Sequence, residues 1–190
     1  MLFILIVLTM LGCTQNKSVN VSSHQETITA ETNDEPQFVP CDNFIQISSV
    51  SNNHPEGVKG AQAIASSVFL CKEGKSKQEI KEYIEKTFDY NLNRTITEVR
   101  PRYEFDVSCQ GSVPEAIIAF MEGNSFEEVI RLAISLGGDS DTIGAMAGAI
   151  AACMYPIPDE IAEKCNNILT EDLREIKDQF MELLQERGNK

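Results

Sequence analysis

The chain has 190 residues, of which 42% are hydrophobic and 24% are charged, a composition typical of a globular protein. It carries 16 Lys and Arg against 29 Asp and Glu, so its formal net charge is -13 at pH 7. Binding to nucleic acids or to anionic lipid depends on clustered basic residues. The acidic balance therefore argues against a nucleic-acid partner and against electrostatic attachment to a membrane.

Residues 1–42 are predicted to lie outside the folded domain. Residues 1–11 form an almost unbroken apolar run, shorter than the roughly 20 residues of a transmembrane helix and suited to a signal peptide. Gly12 and Cys13 follow, and this order resembles a bacterial lipoprotein signal, in which the Cys is lipidated. We expect a leader at residues 1–13 and a location in the cell envelope, with membrane attachment through Cys13 only. The alternative is an uncleaved N-terminus on a cytoplasmic protein.

Residues 14–42 are predicted to form a flexible polar linker, and residues 43–190 the folded domain. Residues 14–37 are mainly Ser, Thr, Asn, Gln and Glu, which bury too little apolar surface to offset the entropy of ordering. The six cysteines show no CxxC or Cys/His spacing, which argues against a zinc site. Apart from Cys13 they fall mostly within apolar helical patterns, so we expect buried free thiols.

The domain reads as helices joined by short loops. Apolar residues recur at helical spacing, and Ser76 and Ser125 each stand three residues before a Glu, as in a capping box. No stretch alternates like a strand, so the predicted fold class is all-α. Residues 89–111 lack periodicity and are predicted to be a long irregular connection. The helices are predicted to begin near Pro55, Ser76, Ser112, Ser125, Asp139, Asp159 and Glu171.

Two of these helices have distinctive patterns. The one that begins near Asp139 and runs to Met154 is apolar all round, which indicates a buried central helix. Its Gly144 and Gly148 cost about 1 kcal/mol each relative to Ala, which suggests the close approach of another backbone. The last helix has apolar residues along one side, and we expect that side to pack in the core. These residues are Leu173, Ile176, Phe180, Leu183 and Leu184.

The start of the buried helix contains the strongest chemical signal. Asp139 and Asp141 stand two residues apart, after two glycines and before Thr142. Two neighbouring carboxylates repel each other, and a divalent cation would relieve that repulsion. Two carboxylates and a hydroxyl are hard oxygen ligands, suited to Mg²⁺, Mn²⁺ or Ca²⁺. The alternative is that Asp139 is a helix cap and Asp141 a first-turn acid.

Residues 135–150, SLGGDSDTIGAMAGAI, resemble the signature of the ADP-ribosylglycohydrolases. Residues 53–63 and 105–117 are similar to segments of bacterial members of that family. The resemblance implies an all-α orthogonal helical bundle with a binuclear Mg²⁺ or Mn²⁺ site. It also implies hydrolysis of the glycosidic bond between ADP-ribose and a protein side chain or a small acceptor, by metal-assisted attack of water.

The resemblance also implies roles for individual residues. Asp139, Asp141 and Thr142 match metal ligands of the family. Ser112 and Gly138 match segments that line the substrate pocket. Asn52 stands where the family has a His that contacts ADP-ribose, and His54 is a neighbouring candidate for substrate binding.

The family's other metal ligands come from an N-terminal Thr-Asp-Asp-Thr block and an upstream Glu, and nothing in residues 1–42 resembles them. The sequence therefore predicts a shortened bundle with half of the metal site. Three interpretations follow. The chain is a hydrolase that needs a complementing chain or forms a homo-oligomer, a non-catalytic remnant that binds ADP-ribose or a partner, or an inactive gene product.

Overall fold

The computed structural model of the chain describes residues 54–188, and that part is helical without a β-strand. The predicted all-α fold is confirmed. The boundaries at residues 13 and 42, together with Cys13 and Asn52, lie outside the described residues. The elements are α1 (Pro55–Lys72), α2 (Lys77–Phe88), α3 (Ile96–Val99), a 3₁₀ turn (Arg100–Arg102), α4 (Cys109–Glu122), α5 (Phe126–Ser135), α6 (Ser140–Met154), α7 (Asp159–Ile168) and α8 (Glu171–Gly188).

Helix α6 is the centre of the bundle, as its apolar sequence predicts. It packs against α1, α4 and α5, while α4 also packs against α1 and α5, and α2 covers α1. Ile143, Ala147 and Ile150 of α6 are fully buried. No helix in residues 54–188 combines the length and the apolar character needed to cross a membrane. The position of α6 in the core fixes the position of its N-terminus, where the candidate site lies.

Side-chain caps explain where the first five helices begin. Ser76 and Glu79 form the predicted capping box, and the backbone N–H of Ser76 holds the pKa of Glu79 down at about 2. At Ser125 the hydroxyl accepts from the backbone N–H of Glu128 as predicted, but the Glu128 carboxylate accepts from Asn124. In a capping box the Glu128 carboxylate would accept from the backbone N–H of Ser125, whereas here it accepts from that of the preceding residue, Asn124.

The connection over residues 89–111 is more ordered than its lack of periodicity predicts. Thr95 and Glu98 form a capping box that starts α3. Helix α4 begins at Cys109, where Ser108 caps it by accepting from the N–H of Gly111, and the predicted start at Ser112 is wrong. Pro114 consequently lies in the second turn, where its missing N–H removes one bond of the helix.

The glycines of α6 do not have the role predicted for them. A Cβ on Gly144 would meet only Ile134 Cγ1 at 3.8 Å, which is ordinary contact. A Cβ on Gly148 would meet the tip of the Ile130 side chain, Cδ1, at 2.9 Å. A neighbouring side chain therefore approaches Gly148, whereas the close approach of a backbone was expected.

The expectation that the apolar side of the last helix packs in the core is also wrong. In α8, Ile176 is 54% exposed and Leu183 is 55% exposed, and Leu173 and Phe180 are half-buried. The side chain of Lys177 donates to Asn166 and that of Arg174 to the carbonyl of Leu169, so α8 is joined to α7. The amphipathic pattern predicts a face that can be buried, but it does not show whether residues 54–188 contain an element that covers it.

The described cysteines are free thiols, as predicted, but the expectation that they are buried is wrong for Cys165. Cys71 is buried, Cys109 and Cys153 are half-buried, and Cys165 is exposed. Burial raises the pKa of Cys71 to about 12, so this thiol stays protonated near neutral pH. Burial in the core thus accounts for Cys71 without a redox role.

Two glycine substitutions test this packing. Gly144→Ala should stabilise the chain by about 0.5–1 kcal/mol, because Ala lowers the entropy cost of the helix and its methyl group has room. Gly123→Ala should destabilise it by about 1–3 kcal/mol, because the added Cβ would lie 2.8 Å from the backbone N of Val129. Urea unfolding followed by circular dichroism at 222 nm measures both, and equal effects of the two substitutions would contradict the prediction.

Candidate functional site

A tight turn between α5 and α6 creates the candidate site. Gly137 and Gly138 have φ angles of 75° and 59°, in the left-handed region that favours glycine. A Cβ on Gly138 would lie 2.9 Å from Tyr103 Cε1 and 3.0 Å from the carbonyl oxygen of Glu104. The turn therefore needs glycine at Gly138 for two reasons, its conformation and its contact with the segment of residues 103–105.

The turn places Asp139, Asp141 and Thr142 at the start of α6. Asp139 is the N-cap residue by its backbone, whose carbonyl accepts from Ile143, but its side chain makes no capping bond. Instead, the Asp139 side chain lies close enough to the carboxyl group of Asp141 to lower its pKa. Two ionised carboxylates at such close positions repel each other, and a cation between them would relieve that repulsion.

Asp141 is held in its ionised form. Its pKa is lowered first by the neighbouring Asp139 side chain and then by the backbone N–H groups of Asp141 and Thr142. These N–H groups belong to the first turn of α6, where the helix dipole also favours a negative charge. Asp141 and Thr142 are exposed and Asp139 is half-buried, so this cluster is open to solvent. Asp141 is thus a first-turn acid, as the capping alternative supposed, but Asp139 does not cap with its side chain.

Tyr103 connects the turn to α4. Its hydroxyl donates to the carbonyl of Gly111 at 3.0 Å, and its ring lies against Gly138. Burial raises the pKa of Tyr103 to about 12, helped by the carboxylates of Glu115, Asp106 and Asp139. The phenol of Tyr103 therefore remains protonated and able to donate at any physiological pH.

Asp106 completes the surroundings of Tyr103. Its carboxylate accepts from the N–H of Ser108 at 2.7 Å, and hydrogen bonds from the Ser108 backbone and hydroxyl lower the pKa of Asp106. A Cβ on Gly111 would overlap this carboxylate, so the Asp106 side chain packs directly against the backbone of the first turn of α4. Sequence reasoning missed Tyr103 and Asp106 because they lie in the segment read as irregular. The order Asp106-x-Ser108, two polar residues before a helix, was the signal that could have found them.

The structure places the remaining predicted site residues as follows. Ser112 is buried in the second turn of α4, and its hydroxyl donates to the carbonyl of Ser108 at 2.8 Å, so its proton is used within the helix. His54 caps α1 by accepting from the N–H of Glu56 at 3.3 Å, a role that needs no substrate. Gly138 adjoins Asp139 in the turn.

The donor set fits part of a site for a hard divalent cation. Asp139, Asp141 and Thr142 offer two neighbouring carboxylates and a hydroxyl, all of them oxygen ligands of the type that Mg²⁺ and Mn²⁺ prefer. Mg²⁺ requires near-octahedral coordination and commonly keeps several waters. Among residues 54–188, no group of three or more His, Cys, Asp or Glu side chains could hold a metal ion. The three residues can therefore supply some, but not all, of the ligands of such an ion.

A helical bundle whose buried central helix begins with two neighbouring carboxylates defines the class of protein: an all-α domain with a solvent-accessible acidic cluster at the start of its central helix. The sequence profile of the ADP-ribosylglycohydrolase family matches residues 29–190. The chain belongs to this family.

Individual relatives match shorter segments. The ADP-ribosylarginine hydrolase Tri1 of Pseudomonas putida (strain GB-1) is 26% identical over 125 residues, 62% of this chain and 34% of that protein. The human ADP-ribosylhydrolase ARH3 is 38% identical over 68 residues, 34% of this chain and 18% of that protein. The mouse ARH3 is 36% identical over 76 residues, 33% of this chain and 20% of that protein. The matches thus span about a third or less of the length of these curated relatives.

The adjacent glycines of the turn provide a matched test. Gly137→Ala should cost about 1–2 kcal/mol, because its φ of 75° strains an L residue but nothing lies within 4 Å of the new Cβ. Gly138→Ala should cost a further 1–3 kcal/mol or so, because its Cβ also collides with the segment 103–105. Thermal or urea unfolding of the two variants measures the difference. Similar losses for both would show that residues 103–105 do not press on Gly138.

Proposed function

We propose that this chain contributes to hydrolysis of the glycosidic bond between ADP-ribose and a protein side chain or a small acceptor. The observation that carries the proposal is the pair of neighbouring, interacting carboxyl groups of Asp139 and Asp141 beside Thr142 in a member of this family. Asp139, Asp141 and Thr142 would hold Mg²⁺ or Mn²⁺. Such an ion, when bound, supplies Lewis-acid chemistry that orients ribose hydroxyls and activates water.

The residues of the chain have definite parts in this scheme. Asp141 presents an ionised carboxylate, because the first-turn N–H groups of α6 help to lower its pKa. Tyr103, protonated and anchored on Gly111, supports the turn that places Asp139.

We propose that a complementing polypeptide or a second copy of this chain supplies further oxygen ligands. The support is the number of donors, since Asp139, Asp141 and Thr142 cannot fill an octahedral shell by themselves. Membrane attachment through Cys13 in the cell envelope is part of the same proposal, supported by the apolar run before Gly12 and Cys13.

A second candidate function is a non-catalytic module that binds ADP-ribose or a partner. It is favoured by the finding that no third His, Cys, Asp or Glu joins Asp139 and Asp141 within residues 54–188. Such a module would keep an ADP-ribose pocket but would not release ADP-ribose from a substrate.

Metal binding should depend on the paired carboxylates. We expect Mn²⁺ at tenfold excess over a millimolar dissociation constant to raise the melting temperature of the 190-residue chain by about 3–6 °C. Asp141→Asn should abolish this shift, because it removes the ionised member of the pair. Differential scanning calorimetry in buffer with and without Mn²⁺ measures the shift.

Asp172 provides the matched control for Asp141. It lies in the first turn of α8, and its pKa is also lowered, but by the Thr170 hydroxyl and the Leu173 N–H rather than by a second carboxyl group. Asp172→Asn should leave the Mn²⁺ shift unchanged. An equal loss in both variants would indicate a non-specific effect of charge and would contradict a site at Asp139 and Asp141.

Turnover and binding separate the two candidate functions. The full chain is incubated with ADP-ribosylated arginine and ADP-ribosylated serine peptides in the presence of Mg²⁺, and released ADP-ribose is measured by chromatography. Release that disappears in Asp141→Asn would support the hydrolase. Calorimetric binding of ADP-ribose without release would support the non-catalytic module, and a folded chain that neither binds nor releases ADP-ribose would contradict both functions for the chain alone.

A further inference from the structure

The solvent-facing side of α8 repeats one pattern after two turns of the helix. The dipeptide Glu175-Ile176 is followed seven residues later by Glu182-Leu183, so the two lie along one face. Ile176 is 54% exposed, Leu183 is 55% exposed, and both glutamates are exposed. The α8 strip, as we call it, consists of an apolar row, Ile176 and Leu183, beside an acidic row, Glu175 and Glu182.

Neither glutamate of the α8 strip has an ion pair within residues 54–188. Glu175 accepts from the neutral side chain of Gln179 at 3.2 Å, and Glu182 makes no hydrogen bond in that part of the chain. Lys177 lies on another side of α8 and donates to Asn166 of α7. The α8 strip is therefore an acidic amphipathic surface, of the kind that packs against another protein surface.

A second exposed apolar surface lies on α5. Ile134 is 53% exposed, and its Cγ1 would lie 3.8 Å from a Cβ on Gly144 of α6. Ile130, one turn earlier, is half-buried and lies against Gly148 in the same way. Because the two glycines have no side chains, the isoleucines pack next to the backbone of α6 and leave a shallow apolar surface.

Two arginines adjoin this surface. Arg100 donates to Ser135 Oγ from Nε at 3.2 Å and from Nη2 at 2.7 Å, which places its guanidinium beside the residue that follows Ile134. Ser135 is neutral, and Arg100 has no ion pair within the described residues. Arg131, three residues before Ile134 on α5, is paired with Glu127 at 2.6 Å. The α5 surface, defined by Ile130, Ile134, Arg100 and Arg131, thus includes a cation whose charge is not neutralised.

The α8 strip and the α5 surface complement each other. Copies of a chain with a net charge of -13 repel one another, so their association is favoured where opposite charges meet. Contact between two α8 strips brings acidic rows together, whereas contact between the α8 strip and the α5 surface brings acids to Arg100. Both surfaces also expose apolar side chains, and burial of these favours association. One chain therefore carries both halves of an interface.

We propose that the α8 strip of one copy of this chain packs on the α5 surface of a second copy. Ile176 and Leu183 cover Ile134, and an acid of the strip pairs with Arg100. Because the two contacting surfaces differ, the contact is heterologous, and each copy binds one neighbour through each surface.

The inference rests on the proposed function in one respect, the role of the second copy. Gly144 lies about one helical turn after Asp141, so a docked α8 brings its carboxylates next to Asp139 and Asp141. Carboxylates gathered in this way repel each other unless a cation lies between them. We therefore expect the association to be tighter with Mn²⁺ than without it.

Sedimentation velocity of the full chain, with and without Mn²⁺, measures the association. A contact built around one helix is at the small end of specific interfaces, so we expect a Kd of about 10–100 µM with Mn²⁺. A chain that sediments as a monomer in both conditions at about 0.5 mM, well above that constant, would overturn the proposal. Equal association with and without Mn²⁺ would support the interface and count against the metal site, so the two proposals fail separately.

Variants identify the two surfaces. Ile134→Asp and Ile176→Asp should each abolish the association, because each places a charge in the apolar contact. An equimolar mixture of these two variants should form a complex of two chains, since each keeps the surface that the other lacks. Arg100→Glu should weaken the association by about tenfold or more, because repulsion replaces attraction. Ile168→Asp is the matched control, since Ile168 is 82% exposed on α7 outside both surfaces, and it should associate as the parent chain does.

The mixture distinguishes this interface from a symmetric contact between two α8 strips. Circular dichroism at 222 nm first checks that each variant keeps its helices, which is expected because all the substituted side chains are exposed. In a symmetric contact, Ile134→Asp would associate as the parent chain does, and the mixture would form no additional complex. Either result would overturn the proposal.

Discussion

The close contact between the backbone of Gly138 and the segment of residues 103–105 is the constraint on which the candidate site depends. A single methyl group at this position would collide with both the Tyr103 ring and the Glu104 carbonyl. The contact sets the direction in which the chain leaves α5 and enters α6. Because α6 is buried among α1, α4 and α5, its first residues cannot adjust independently. The position of Asp139 and Asp141 is therefore a property of the whole core.

The parts of this structure that local sequence signals determine were predictable. The capping box at Ser76, the serine cap at Ser125 and the burial of α6 follow from the identity and spacing of nearby residues. Asp139, Asp141 and Thr142 were found for the same reason, since they are neighbours in the chain. Tyr103 and Glu115 were missed because their importance arises from contacts with residues far along the sequence. The Arg94–Glu115 pair, for example, joins the α2–α4 connection to α4 across 21 positions.

A helical pattern of apolar residues does not by itself determine whether those residues are buried. In α4 and α6 the apolar residues are buried because other helices surround them on several sides. In α8 an equally clear apolar side leaves Ile176 and Leu183 more than half exposed. Periodicity reports which face of a helix is suited to burial, and only the arrangement of neighbouring elements decides whether that face is covered. Exposed apolar faces of this kind are typical of interaction surfaces, which agrees with the proposed complementing polypeptide.

The way in which α6 begins sets the candidate site apart from the rest of the bundle. The five helices before it all start with a side-chain cap, supplied by His54, Ser76, Thr95, Ser108 and Ser125. Helix α7 has Pro158 at this position, which has no polar side chain to offer. Asp139 has one of the best capping side chains, yet it makes no capping bond and instead lowers the pKa of the nearby Asp141. A local rule that is broken where the residue could have obeyed it commonly marks a functional position. Without a side-chain cap from Asp139, the start of α6 is less stable than it could be. The neighbouring carboxyl groups of Asp139 and Asp141 remain accessible to solvent, and a divalent cation would stabilise them.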